Sequence, residues 1–186
     1  MDRFFLKHSE TIFVLIDIQE KLAAAMKMKD AVVENCLHLI ELSKLLDIPV
    51  VLTEQYPRGL GRTLDEIRKA IPSYEPFEKT SFDCCSEAGF IPKVSSYGRN
   101  SIVLAGMESH ICILQTALGL LKSGYAVQVP ADAVCSRKKG NHKTAMHFIR
   151  DAGGVITATE TVLFQLLERA GTEAFKTISK RIRSRP

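Results

Sequence analysis

A thiol, a carboxylate and an ammonium group stand in three separated segments of the chain: Cys112, Asp17 and Lys79. Brought together they could carry out nucleophilic hydrolysis, because a thiol is mostly protonated at neutral pH and needs a base or a nearby cation to attack. Cys112 closes the run Gly106-Met107-Glu108-Ser109-His110-Ile111-Cys112, at the start of a predicted helix. Free backbone N–H groups at such an end favour a thiolate and could hold the oxyanion formed when sulfur attacks a carbonyl. Each residue also has a plainer reading. Cysteine is among the most buried residue types, a carboxylate after a strand often caps the next helix, and Lys79 could be an ordinary exposed lysine. His110 is a poor candidate base for Cys112, since neighbours two apart do not face each other on a helix.

The elements that must position these groups are legible as apolar runs. Residues 11–16, 48–53, 101–106 and 126–130, with a shorter run at 154–157, are continuously apolar and rich in β-branched residues. That character fits strands covered on both faces, as in a parallel sheet. Helical spacing runs through 31–46, 111–123, 142–152 and 159–170, and residues 56–73 read as a loop followed by a short helix over 64–70. Strands alternating with helices imply right-handed crossovers. The predicted fold is therefore α/β, a three-layer, open, mainly parallel sheet with helices on both faces, Rossmann-like, in one domain over residues 1–186. Ligands of such sheets bind beyond the carboxyl ends of the strands. Asp17, Glu54 and the 106–112 run all fall there.

Composition narrows the function classes. Hydrophobic residues make up 46% and charged residues 25%, which is ordinary for a globular chain. A net charge of +4 does not single out a nucleic-acid binder. No apolar run approaches the roughly 20 residues of a membrane helix. The first ten residues carry Asp2, Arg3, Lys7, His8 and Glu10 rather than the apolar stretch of a secretory signal, so a cytoplasmic location is expected. The five cysteines (Cys36, Cys84, Cys85, Cys112 and Cys135) are odd in number and form no Cys-x-x-Cys, which argues against a disulfide framework or a zinc ribbon. The basic end, Lys180, Arg181, Arg183 and Arg185, reads as a solvated or frayed helix end.

Three short motifs occur in one order: Asp17-Ile18-Gln19, Glu78-Lys79-Thr80-Ser81-Phe82 and Gly106 through Cys112. The set resembles the isochorismatase-like cysteine hydrolase family over about residues 11–167. The run Thr53-Glu54-Gln55-Tyr56-Pro57-Arg58-Gly59-Leu60-Gly61 resembles a metal-free subgroup with poorly defined substrates. The resemblance implies a triad in which Cys112 attacks an acyl carbon, Asp17 takes its proton, and Lys79 lowers the thiol pKa and orients the carboxylate. It also implies a cis peptide at Met107–Glu108 that turns backbone N–H groups toward the oxyanion. Gln19, Glu54, Gln55, Tyr56 and Phe82 are the expected pocket residues, with Glu108 beside them; loop hydrogen bonding or subunit contact is their alternative role.

Departures from family patterns refine the expected substrate. Nicotinamidases of the family bind a metal through Asp-x-His-x-His after the second strand. Here that region reads Glu54-Gln55-Tyr56-Pro57, so no metal and no cofactor is expected. Isochorismatases proper, which cleave a vinyl ether, lack the cysteine that this chain carries. A small amide, carbamoyl or related acyl compound remains as substrate, with no nucleic-acid or membrane partner. Family members commonly form homo-oligomers, and the apolar stretch 159–167 could join an interface. Two other readings stay open: a non-catalytic oligomeric or protein-binding module of the same fold, and a thiol redox sensor using Cys84, Cys85 or Cys135.

Overall fold

Every residue of the first strand, β1 (Thr11–Ile16), is buried, because the sheet is covered on both sides. The structure, a computed structural model, describes residues 2–184; Arg185 of the basic end lies outside them. After β1 come a short α1 (Glu20–Ala24), the long α2 (Lys29–Leu46) and β2 (Val50–Gln55). Two short helices, α3 (Pro57–Leu60) and α4 (Asp65–Ala70), lead to β3 (Phe77–Lys79). Then follow α5 (Phe90–Ser95), β4 (Ser101–Met107), α6 (Leu114–Lys122), β5 (Ala126–Pro130) and β6 (Val134–Cys135). The chain continues through α7 (Lys139–Asp151), β7 (Val155–Thr157), α8 (Thr159–Leu167) and α9 (Glu173–Arg183).

The strands form one open, parallel sheet in the order β3-β2-β1-β4-β5-β7, with β6 also paired to β4. Side chains alternate across the sheet. Phe13 and Leu15 face a core shared with Leu39 of α2, Ile67 of α4, Leu163 of α8 and Ile178 of α9. Ile12, Val14 and Ile16 face the other core, with Phe90 of α5, Ala117 of α6 and Ile149 of α7. The architecture is the three-layer α/β fold that the apolar runs imply.

Several boundaries differ from the expected ones, each for a physical reason. The second strand runs from Val50 to Gln55 rather than over 48–53. Asp47 takes a left-handed conformation that ends α2, Ile48 N–H returns to Ser43, and pairing with β1 begins at Val50. Glu54 and Gln55 thus belong to the strand. Neither β3 nor β6 is announced by an apolar run, since they have three and two residues. A π-helical turn, Ser109–Ile113, precedes α6, with Ile113 N–H bonded to the Glu108 carbonyl at 3.2 Å. Within the chain, α8 buries Val162, Leu163, Leu166 and Leu167 in the core, while Phe164 remains exposed. Through Arg183 the basic end is a docked helix rather than a frayed one, with Lys180 and Arg183 exposed to solvent as expected. Thr172 caps α9 through the Phe175 N–H, and Ile178 is fully buried.

Candidate active site

Asp17 stands at the carboxyl end of β1, where the backbone turns with φ 52°. Its neighbour strands bring the other groups to it. On β2, residues 53 and 55 face the same side as Val51, toward α5 and α6. Lys79, the last residue of β3, pairs in register with Gln55. The short edge strand is anchored by Phe77, whose ring meets Phe90 edge-on at 5.4 Å.

The resulting contacts are tight and dry. Lys79 Nζ donates to Asp17 Oδ2 at 2.8 Å, and Thr53 Oγ1 donates to Asp17 Oδ1 at 2.6 Å. The Cys112 thiol lies near enough to Asp17 to feel its charge. Asp17 and Lys79 side chains have no solvent exposure, and Cys112 is 5% exposed. The structure therefore brings Asp17, Lys79 and Cys112 together. Asp17 does not cap the helix that follows it, and Lys79 is not a surface lysine.

Gly106 is what lets β4 approach so closely. It has φ 123°, and a Cβ built there would overlap the Ile16 carbonyl. Beyond it the Met107–Glu108 peptide is cis, and the π-helical turn carries Cys112 back over the end of β1.

Electrostatics correct one expectation. Burial, then the Asp17 charge, push the Cys112 thiol above its ordinary pKa, and Lys79 opposes them incompletely. The resting group is a thiol, not the thiolate expected from its place near a helix start, because desolvation of sulfur outweighs the cation. For Lys79, burial works against the ammonium, but the Asp17 carboxylate bonded to it holds the pKa high. A second sulfur shares the cluster. Cys84 is buried, its N–H donates to Thr116 Oγ1 at 3.0 Å, and burial pushes its thiol up to about 12 against the pull of Lys79. Thr116 lies one helical turn beyond Cys112, on the same face.

The expected pocket residues divide. Glu54 points to the opposite face of the sheet. Its Oε1 accepts from the Thr63 N–H, the Thr63 hydroxyl and the Tyr74 hydroxyl, because position 54 shares the side of Leu52. Gln19 is fully buried and bonded to backbone at Gln55 and Gly61. Glu108 is bonded to Arg137 through its backbone N–H and its Nε. These three are loop clamps rather than free pocket walls. Gln55 reaches Lys79 itself. Tyr56 and Phe82 are 56% and 53% exposed and lie just beyond β2 and β3. His110 bonds Ser136 through Nδ1 at 2.9 Å, and Ser109 bonds His142. A groove of about 560 Å³ bounded by Asp47, Pro49, Tyr97 and Arg99 opens at the other end of the sheet, away from Asp17, Lys79 and Cys112.

The sequence does not single out Thr53 or Ser81, and it suggests Cys84 only as a redox group. Thr53 carries a signal, being the polar residue where an apolar run meets the binding edge. Ser81 acts through its carbonyl, which residue type does not encode.

Comparison with known proteins gives the family and the fold. The Isochorismatase domain model matches residues 11–161. The chain belongs to the isochorismatase family. The "Secreted isochorismatase effector Isc1" of Phytophthora sojae is 37% identical over 187 residues, covering 96% of this chain and 86% of that protein. The solved "MAR1 Ribonuclease" of Caenorhabditis elegans is 30% identical with TM-score 0.89, covering 96% of this chain and 92% of that one. An Escherichia coli protein described as "an octameric hydrolase of unknown specificity" shares the fold, with TM-score 0.89 at 20% identity over 95% and 90% of the two chains. This isochorismatase-family chain carries its buried Asp17–Lys79 pair at the carboxyl edge of the parallel sheet. No helix among its described residues is long and apolar enough to cross a membrane.

Proposed function

We propose that the chain is a cysteine hydrolase of a small amide, carbamoyl or related acyl compound. One observation carries this reading: a single buried carboxylate, Asp17, is bonded to an ammonium, Lys79, and acts electrostatically on a buried thiol, Cys112. Because Cys112 rests as a thiol, its proton must leave as sulfur bonds to carbon, and Asp17 is the acceptor. Cys112 Sγ attacks the acyl carbon, the carbonyl electrons move to oxygen, and backbone N–H groups at the start of the Cys112 turn hold the oxyanion. Asp17 passes the proton to the departing nitrogen, which leaves as amine or ammonia, and a thioester remains. A water molecule then gives its proton to Asp17 and its oxygen to the acyl carbon. The thiol is restored when Asp17 returns that proton to sulfur.

Lys79 is hydrogen-bonded to Asp17, and its positive charge stabilises the negative charge that develops on sulfur as the thiol proton leaves. Tyr56 and Phe82 flank the entrance. The same proposal includes a homo-oligomer located in the cytoplasm. Light scattering measures the first, and imaging of the tagged full-length chain measures the second.

The test is a screen of small amides, carbamoyl compounds and esters, with labelled RNA included, against the wild type, Cys112→Ala and Asp17→Asn. Turnover of an acyl compound should vanish in both variants, and a mass increase on Cys112 should trap the acyl-enzyme. Turnover that survives Cys112→Ala would refute the mechanism, as would RNA cleavage in the absence of acyl hydrolysis.

A further inference from the structure

Gln55 has the hydrogen bonds of a support rather than of a substrate contact. Its Nε2 donates to the Thr80 carbonyl at 2.6 Å, and its Oε1 accepts from Lys79 Nζ at 2.6 Å. These partners fix the orientation of the amide, since a carbonyl only accepts and an ammonium only donates. Gln19 grips the backbone of the same residue: its Oε1 accepts the Gln55 N–H at 2.7 Å and its Nε2 donates to the Gln55 carbonyl at 3.0 Å. The Asp17-Ile18-Gln19 motif thereby links the carboxylate of the triad to the residue that steadies its ammonium.

An ammonium has three N–H groups, and here each has an acceptor: Asp17 Oδ2 at 2.8 Å, Gln55 Oε1 at 2.6 Å and the Ser81 carbonyl at 3.2 Å. Lys79 has no proton left to offer a substrate, so it acts through its charge and position. Only one of its three acceptors is charged. A carboxylate at position 55 could satisfy the same N–H, but it would cancel the positive field that reaches Cys112. A neutral amide completes the shell and leaves that field intact.

We propose that Gln55 is a positioning residue: clamped by Gln19 and Thr80, it fixes the Lys79 ammonium against Asp17 while leaving its charge available to Cys112. This rests on the hydrolase reading above. The charged and titratable groups acting on Cys112 are Asp17, Lys79 and Cys84, and the test varies none of them.

Alkylation of Cys112 by iodoacetamide, located by peptide mapping and followed against pH, measures the effect without knowledge of the substrate. In Gln55→Met the rate at neutral pH should fall about tenfold, the equivalent of one pKa unit, and the midpoint should move up. Gln55→Glu, which retains an acceptor but adds a charge, should move it further in the same direction. Folding of both variants is checked by thermal melting. A wild-type pH profile in a folded variant of either kind overturns the proposal, whatever its melting temperature. In the unmutated protein, nitrogen-detected exchange of lysine ammonium protons gives an independent arm. Lys79 should exchange far more slowly than surface lysines, and exchange as fast as theirs overturns the proposal. A wild-type Cys112 that alkylates no faster than Cys36 would overturn the hydrolase reading and this proposal with it. A reactive wild type with unmoved variants overturns the role of Gln55 alone.

Discussion

Lys79 Nζ lies 2.8 Å from Asp17 Oδ2 with neither side chain exposed to solvent. Removing two charges from water costs several kcal/mol per ion, and mutual attraction offsets this only when the remaining lone pairs and protons also find partners. Here Thr53 takes the second Asp17 oxygen, and Gln55 and Ser81 take the remaining Lys79 protons. The pair is thus a completed network, and breaking one member leaves the other charged and alone.

Lys79→Met should destabilise the fold by about 3–5 kcal/mol, the cost of a buried charge that has lost its partner. Asp17→Asn should also destabilise it. The double variant should lose less than the sum of the two, because neither orphan charge remains. Denaturant unfolding of the four proteins measures the coupling, and strict additivity would show that the pair is not energetically linked.

Stability should fall on the alkaline side, beginning near pH 9. Burial raises the thiols of Cys36, Cys84, Cys112 and Cys135, with Cys84 moved from 9.0 to about 12. Above pH 9 the unfolded chain therefore releases thiol protons that the native chain retains, and ∂ΔG/∂pH is negative. This contribution is fully present below the unfolded value and is lost as pH rises toward the folded one. Cys84→Ala should reduce the downward slope between these limits by about one proton equivalent. An unchanged slope would show that Cys84 ionises alike in both states.

The layers were legible because a short, unbroken apolar run rich in β-branched residues fits a strand covered on both faces and little else. Residues 11–16 and 101–106 are such runs, and their order with the intervening helices specified the parallel sheet. Asp17, Lys79 and Cys112 stood out in three motifs, but the way they meet was not legible. Lys79 depends on β3, a strand of three residues with an exposed Glu78 in the middle, too short for any periodicity to register. Glu54 and Gln55 looked alike as polar residues at a strand end, yet alternation sends Glu54 to Thr63 on one face and Gln55 to Lys79 on the other. The expected strand stopped at Thr53, so Glu54 and Gln55 fell outside it and had no assigned face.

Gly106→Ala should be among the most damaging single-methyl substitutions in the chain. The residue sits at φ 123°, where any side chain is strained, and the new methyl would overlap the Ile16 carbonyl one residue before Asp17. A loss of about 3 kcal/mol or more is expected, together with loss of hydrolysis, since β4 would have to move away from β1. Gly98→Ala is the matched control, as its φ is also positive but no atom lies within 4 Å of the added Cβ. If both substitutions cost the same in denaturant unfolding, backbone conformation rather than close approach accounts for Gly106.

Tyr56 and Phe82 should act on substrate capture rather than on chemistry. Both rings are more than half exposed, so truncating either removes little packing. Tyr56 is tied to the triad through its backbone, its N–H donating to the Lys79 carbonyl at 2.8 Å, and that bond survives truncation of the ring. The ring is further held by its fit over Gly59, where an added Cβ would run into it. Tyr56→Ala and Phe82→Ala should therefore raise KM about three- to tenfold toward an apolar acyl substrate, with kcat changed less than about twofold, as expected when binding is uniform between ground and transition states. Steady-state kinetics on the best substrate from the screen separate the two constants. A fall in kcat at constant KM would move both residues from the entrance to the reacting centre, because only an interaction made in the transition state lowers turnover in that way.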